Sequence, residues 1–175
     1  MTKYFSGATL SLEVAAGITV ELPLTRDTIG LALAEAHQSA GNLAAAVEAV
    51  EGVAPSTISA VSLAELYIAQ SRWDDVVELT NGLTNEDEAA VFLLVQRAIA
   101  LRESGTPGAA REALKEALRI RSRPAGLRHL ALIERAYTYL AERKPAMARK
   151  DLEKVLADDA TYPGLQAALA ELPVA

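Results

Sequence analysis

The two histidines are the first side chains to consider, because imidazole is the group that most often transfers protons or binds metals near neutral pH. They are His37 and His129, and the chain contains no cysteine. His129 precedes Glu134 at a spacing that matches no zinc-protease motif, and neither ring has the partners of a nucleophilic site. We therefore interpret His37 as a packed residue on a helix face.

Paired carboxylates are the second candidates, since two neighbouring acids can divide general acid and base roles. They occur as Asp74-Asp75 and as Asp158-Asp159, in both cases where a helix end or a solvent-facing surface is the simpler interpretation. The glycines form no phosphate-binding loop. The sequence therefore predicts a protein that is not an enzyme, with no catalytic residue, no metal and no cofactor.

The charges divide sharply along the chain. Up to Glu88 there are three basic and 13 acidic residues, and from Ala89 onward there are 14 basic and 10 acidic ones, within a net charge of −6. Solvated helix faces explain this division, and so would head-to-tail association or a partner that contacts one end. Four arginines cluster at Arg119, Arg121, Arg123 and Arg128, but without interleaved aromatic residues they make nucleic-acid binding unlikely.

The size and composition of the chain favour a single helical domain. Its 175 residues, of which 51% are hydrophobic, are enough to form a sizeable core. There is no uncharged apolar run long enough to span a membrane, and the N-terminus lacks the pattern of a signal peptide. Together with the missing cysteines, these features predict a cytoplasmic protein without membrane contact.

The stretch from Leu63 to Leu79 predicts two short amphipathic helices that meet at Ser71-Arg72. Its apolar residues recur at spacings of three and four, and Ala64 is small where two helices would approach closely. The pattern occurs four times, around alanines that are 30, 34 and 38 residues apart: Ala34, Ala64, Ala98 and Ala136, each followed three positions later by His37, Tyr67, Leu101 or Tyr139. An irregular helical bundle with accidental periodicity is the alternative.

These residues resemble the tetratricopeptide repeat (TPR) family over residues 25–160. The chain departs from the family pattern in having alanine where glycine is usual, Arg97 and Arg135 where leucine is usual, and Pro107 and Pro145 where an aromatic residue is common. The resemblance implies an all-α fold, a right-handed α-solenoid of about four helix-turn-helix repeats. We place the divergent repeats at about 26–55, 56–84, 85–122 and 124–160, and a C-terminal capping helix in 161–175.

Residues 1–24 do not follow the repeat. Residues 9–14 and 18–22 alternate apolar and polar side chains around Ala15-Ala16-Gly17, which predicts a short N-terminal β-hairpin. A two-stranded hairpin is marginal in water, so either the first helix pair or strands outside this sequence must cover it. Because this opening resembles the middle of a protein, we expect the chain to be a fragment of a longer one.

Polar residues before the apolar runs mark the expected helix starts. Thr25 or Asp27 and Ser56 or Thr57 can cap the first helices of the first two repeats. Asn85 and Glu88 resemble a capping box, which makes the acidic run from Glu86 to Glu88 structural.

The resemblance also implies a binding surface. In the TPR family the first helices of the pairs line a concave groove that binds a peptide or protein segment, and the matching residues here are Leu31, Glu35, Gln38, Val61, Glu65, Ile68, Val95, Ile99, Arg102, Ile133, Tyr137 and Leu140. Chaperone-binding members hold a C-terminal carboxylate with Lys, Asn and Arg, which Glu35 and Glu65 disfavour. A basic or amphipathic segment suits these two acids better. The alternative is that several of the residues pack only against the hairpin or a neighbouring copy.

The leading hypothesis is a non-catalytic scaffold or adaptor whose partner is a protein or peptide, with a homo-oligomer left open. The alternative is a regulatory module of a larger multidomain protein that senses a ligand or peptide.

Overall fold

The computed structural model describes residues 7–15 and 18–173, and the side chains of all of these except residues 13–15, 18 and 20. Over this range an antiparallel pair of strands, β1 (Thr9–Ala15) and β2 (Ile18–Pro23), is followed by helices. The helices are α1 (Arg26–Ser39), α2 (Leu43–Glu51), α3 (Thr57–Ala69), α4 (Trp73–Leu79), α5 (Glu88–Glu103), α6 (Pro107–Ala117), α7 (Ala125–Ala141), α8 (Pro145–Asp158) and α9 (Leu165–Ala170).

The chain divides into two compact units. Unit 1 (Met1–Arg72) holds the hairpin and α1 to α3, and unit 2 (Trp73–Ala175) holds α4 to α9. The division falls between the two helices of the predicted second repeat. The units differ from repeats because they are defined by the contacts within each of them. The repeat boundaries proposed from the sequence therefore stay a prediction.

In unit 1 the hairpin packs against helices α1 and α3 through its strand β1. Leu10 pairs in register with Leu22, and β1 lies against both α1 and α3, where Leu12 is buried. Helices of unit 1 therefore cover β1, but they are the first helices of two predicted repeats, α1 and α3, rather than the predicted first pair, α1 and α2. Two residues of the expected turn, 16 and 17, lie outside the described residues.

In three helix pairs, the N-terminus of the first helix is capped by a side chain that accepts a backbone hydrogen bond. Thr25 and Thr28 form a reciprocal capping box at α1, and Ser56 and Ser59 form one at α3. At α5 the cap is Asp87, whose carboxylate accepts the N–H of Ala90 at 2.7 Å. The capping box predicted for Asn85 is therefore wrong.

The same backbone turn follows α1, α3, α5 and α7. The residue seven positions after each repeat alanine is left-handed, with φ values of 76° at Gly41, 56° at Ser71, 81° at Gly105 and 59° at Arg143. The next amide donates to the carbonyl five residues back, as from Asn42 to His37 and from Lys144 to Tyr139, both at 2.8 Å. This bond is that of a Schellman motif, and its fourfold recurrence shows that the repeats share one turn geometry.

Two of these turns place a side chain in a conformation that favours glycine. We expect Ser71→Gly and Arg143→Gly each to raise the free energy of unfolding by about 0.5–1 kcal/mol, because glycine adopts positive φ without a steric penalty. Urea denaturation measures the change, and Gly105→Ser is the matched control, expected to lower stability by a similar amount. A destabilised Arg143→Gly variant would contradict the assigned turn.

The four repeat alanines are buried. Ala34 is 4% exposed, and Ala64, Ala98 and Ala136 are 0% exposed. In unit 2, Ala98 packs in one cluster with Ala110 and Leu114, and Ala136 packs in a second cluster with Ala148 and Leu152. A side chain this small lets the two helices of a pair approach closely, as the sequence pattern predicted.

Helix α9 closes the last helix pair of unit 2. Its Leu165 and Ala168 are fully buried in the cluster that contains Leu152 and Val155 of α8. The sequence predicted a helix here. Among the described residues, no helix is both long and apolar enough to cross a bilayer.

Candidate functional site

The twelve residues predicted to line the groove are found in two different environments. Four of them are core residues with buried side chains, and these offer no surface to a partner: Leu31, Val61, Val95 and Ile133. The other eight are at least partly exposed: Glu35, Gln38, Glu65 and Ile68 in unit 1, and Ile99, Arg102, Tyr137 and Leu140 in unit 2.

In unit 1 the hairpin covers the first helices. Leu12 of β1 lies beside Leu31 of α1 and Leu66 of α3, at a small cleft that is also lined by Ala34, Glu35, Gln38 and Ser62. A strand already lies against these two helices, so this side of the pair is not an open surface. The alternative that some groove residues pack against the hairpin therefore describes Leu31.

In unit 2 the first helices α5 and α7 pack side by side. Arg102 of α5 donates from Nη1 to a carboxylate oxygen of Glu134 at 2.7 Å and to the Glu134 carbonyl at 3.3 Å. Its guanidinium lies 5.6 Å from the centroid of the Tyr137 ring. These contacts bring one charged pair and one aromatic ring together between the two helices.

Two apolar residues, one on α5 and one on α7, belong to the same surface because of their spacing along the helices. Ile99 is three residues before Arg102, and Leu140 is three residues after Tyr137, so each pair shares a helix face. We call Ile99, Arg102, Glu134, Tyr137 and Leu140 the α5–α7 face. Apolar side chains lie at both of its ends, with an ion pair and a phenol between them.

The charge of Arg102 on this face is shared by two carboxylates, those of Glu134 at 2.7 Å and Glu103 at 3.1 Å. The side chains of Arg102 and Glu134 are both only 14% exposed. Burial raises the pKa of the Tyr137 phenol, and the negative charges of Glu134 and Glu171 raise it further. The phenol therefore stays protonated at neutral pH and is able to donate a hydrogen bond.

Glu134 is a member of the face that the sequence pattern missed. It lies 32 residues from Arg102 along the chain, and no local spacing rule connects two residues on different repeats. Only a comparison of facing positions on α5 and α7 would have found it.

His129 is buried and paired, as a structural residue would be. Its Nε2 lies 2.6 Å from an oxygen of Asp158, and its ring makes an edge contact with Tyr162 at a centroid distance of 5.1 Å. The Tyr162 hydroxyl donates to the Gly126 carbonyl at 2.8 Å. These contacts join the start of α7 to the end of α8, and the sequence did not predict them.

The other candidates for chemistry also have structural contacts. Asp74 and Asp75 occupy the first turn of α4, where the helix dipole favours acids. Asp159 accepts bonds from the amide and hydroxyl of Thr161, and these hydrogen bonds lower the pKa of its carboxyl. Among the described residues, no cluster of His, Asp and Glu could hold a metal ion.

The arginine cluster is used largely inside unit 2. Arg123 donates to the side chain of the buried Asn85 at 2.9 Å and to its carbonyl at 3.2 Å. The amide N–H of Asn85 donates to Glu116 at 2.9 Å and lowers the pKa of that carboxyl, which Arg119 lowers further. Asn85 therefore ties the segment before α5 to the end of α6, and Arg123 takes part in this contact.

Comparison with known proteins defines the fold. No protein-family model matches the chain, and no curated protein sequence matches it. The structure is similar to the N-terminal domain of the EccA1 ATPase from the ESX-1 secretion system of Mycobacterium tuberculosis, with a TM-score of 0.69 and 23% identity over 87% of this chain. It is also similar to the nearly identical TPR-like repeats of a kinesin light chain from Podospora anserina, with a TM-score of 0.65 and 25% identity over 84% of this chain.

These similarities place the chain in a class. It has an all-α repeat fold with TPR-like repeats, which confirms the fold class and the resemblance predicted from the sequence. The chain spans 56% of the length of the EccA1 domain and 83% of the kinesin light chain structure. Folds of this class are generally non-catalytic modules for protein interaction.

Proposed function

We propose that this chain is a protein-interaction scaffold or adaptor, and that it binds a protein segment along the α5–α7 face. The supporting observation is the contact between Arg102, Glu134 and Tyr137, which holds a donor and an aromatic ring between partly exposed apolar residues. Few, well-placed polar groups among apolar ones are typical of specific binding surfaces.

The chemistry of the face indicates the kind of segment. Because Glu134 already neutralises Arg102, a free C-terminal carboxylate would have to displace an existing ion pair, so the chaperone-like mode is disfavoured. A segment with apolar side chains on either side of a hydrogen-bond acceptor would contact Ile99 and Leu140 and accept from the Tyr137 phenol.

The other parts of the sequence hypothesis belong to this proposal. The partner is a protein or peptide, the location is the cytoplasm, and Glu35 and Glu65 in unit 1 remain candidates for contact with a basic segment. Because the hairpin already lies against α1 and α3 in unit 1, the test begins in unit 2.

The first test is a selection of binding peptides, since the partner is not known. A random library of 12-residue peptides is selected on the immobilised full chain, and the best peptide is measured by titration calorimetry. We expect Leu140→Ser and Ile99→Ser each to weaken binding about tenfold or more, because each change removes apolar contacts that contribute about 1–2 kcal/mol to binding. Tyr137→Phe keeps the ring and isolates the contribution of the hydroxyl.

Leu156→Ser is the matched control, because Leu156 is an exposed leucine on the second helix α8. It is expected to leave the affinity within twofold. Thermal melts establish that each variant is folded. Selected peptides whose binding is insensitive to Ile99, Tyr137 and Leu140 would refute the assignment of the α5–α7 face.

A further inference from the structure

Helix α1 exposes an apolar face. Ile29 is 55% exposed and Leu33 is 50% exposed, and the exposed Ala36 completes a spacing of four and three residues that places all three on one side of the helix. We call Ile29, Leu33 and Ala36 the α1 end face. A solvated helix normally carries polar residues on such a side.

Two of these three positions are buried in the other three repeats. Aligned on the repeat alanines, Ile29 corresponds to Ser59, Leu93 and Ala131, which are 4%, 2% and 0% exposed. Ala36 corresponds to Leu66, Ala100 and Thr138, which are 1%, 0% and 0% exposed. Leu33 corresponds to Leu63, Arg97 and Arg135, which are half-buried. At two of its three positions the α1 end face is therefore the surface through which repeats stack, and it is open in the first repeat.

The internal repeats show what covers this surface. Ala131 of α7, the counterpart of Ile29, packs with Ala110, Leu114 and Ala117 of the preceding helix α6. Helix α2 packs in the same way on α3, and α4 on α5. In each case the occupant is a short amphipathic helix whose apolar side consists of small and aliphatic residues.

We infer that the α1 end face binds an amphipathic helix of another protein, one that resembles the second helix of a TPR-like pair. The occupant must present Ala, Val or Leu at spacings of three and four, since that is what α6 presents to α7. The binding extends the stacking interface that the chain already forms between its own repeats.

A second copy of this chain is a poorer occupant. Its α2, α4 and α6 are already packed against α3, α5 and α7, and its α8 is covered by α9, whose Leu165 and Ala168 are 0% exposed. In the described chain the side of each second helix that packs in the stack is therefore already covered, and α8 leaves only the single large apolar residues Met147 and Leu156 exposed. This is the reason to prefer a helix of another protein over a second copy of this chain.

The probe is a fluorescein-labelled, hydrocarbon-stapled peptide of residues 106–119, which is the α6 sequence. Fluorescence anisotropy with the full chain should show saturable binding, and the double variant Ile29→Lys, Leu33→Lys should weaken it tenfold or more. The double variant Met147→Lys, Leu156→Lys is the control, because it alters two other exposed apolar residues and should leave binding within twofold. A peptide carrying Leu114→Lys should not bind.

A crosslink provides a second readout. The native chain has no cysteine, so Leu33→Cys introduces a single thiol. It should react with an α6 peptide whose added cysteine carries a 2-thiopyridyl disulfide, forming a mixed disulfide and releasing pyridine-2-thione faster than a chain carrying Leu156→Cys. Absence of saturable binding, or equal crosslinking at both positions, would overturn the inference. Sedimentation could also overturn it, by showing a native dimer that the double variant Ile29→Lys, Leu33→Lys converts to a monomer. The occupant would then be a second copy of this chain.

Discussion

Replacing Ala64 by arginine should lower the free energy of unfolding by about 3 kcal/mol or more, because the change both overpacks the site and buries a charge. Ala64 is 0% exposed on α3, which packs against α2 and β1. There is no room for a guanidinium between elements that approach over an alanine. Urea denaturation followed by circular dichroism gives the change in stability.

Ala69→Arg is the control for this prediction. Ala69 is exposed on the last turn of the same helix, so the same substitution there should change the free energy of unfolding by less than about 0.5 kcal/mol. The two variants have equal composition and helix propensity. If both unfold at the same urea concentration as the native chain, the inward placement of the repeat alanines is refuted.

Loss of the Asp151 carboxylate should cost about 3 kcal/mol of stability, because it leaves a largely buried arginine without its partner. Arg135 donates two hydrogen bonds to Asp151, at 2.7 and 2.9 Å, and Lys154 contacts the same carboxylate at 2.7 Å. The Asp151 side chain is only 4% exposed and that of Arg135 is 18% exposed. The substitution to test is Asp151→Ala, measured by urea denaturation.

The double variant Arg135→Leu, Asp151→Leu tests the same ion pair by removing both of its partners. A buried ion pair can often be replaced by apolar residues without loss, so we expect the double variant to be about as stable as the native chain. It would also place a leucine at residue 135 of this chain, where the TPR pattern usually has one. A double-mutant cycle with coupling below about 0.5 kcal/mol would mean that the pair acts as two independent charges.

Periodicity and small residues were enough to predict the repeats. The four alanines are buried where their spacing placed them, and each lies in the first helix of a pair. Such signals are local, because helix faces recur every three or four residues and a tight turn follows each first helix. The fold class could therefore be derived without coordinates.

The sequence could not separate the predicted groove residues into buried and exposed ones. The family pattern marked one position per helix turn on the first helices, but it could not say which of these positions face a neighbouring element. Val95 and Ile133 are buried in unit 2, while Arg102 and Tyr137 meet on its surface because Glu134 completes their contact. A spacing rule cannot separate these two cases, since both belong to the same helical pattern.

The sequence by itself determined the fold class, the hairpin and the helix pairs, because each depends on residues that are close along the chain. The tertiary structure decided which faces are covered: the hairpin lies on α1 and α3, Arg123 holds Asn85 from 38 residues away, and Ile29 stays exposed where its counterparts are buried. These outcomes depend on contacts between distant segments. Their energies are set by which surfaces meet in three dimensions, and no local pattern encodes that pairing.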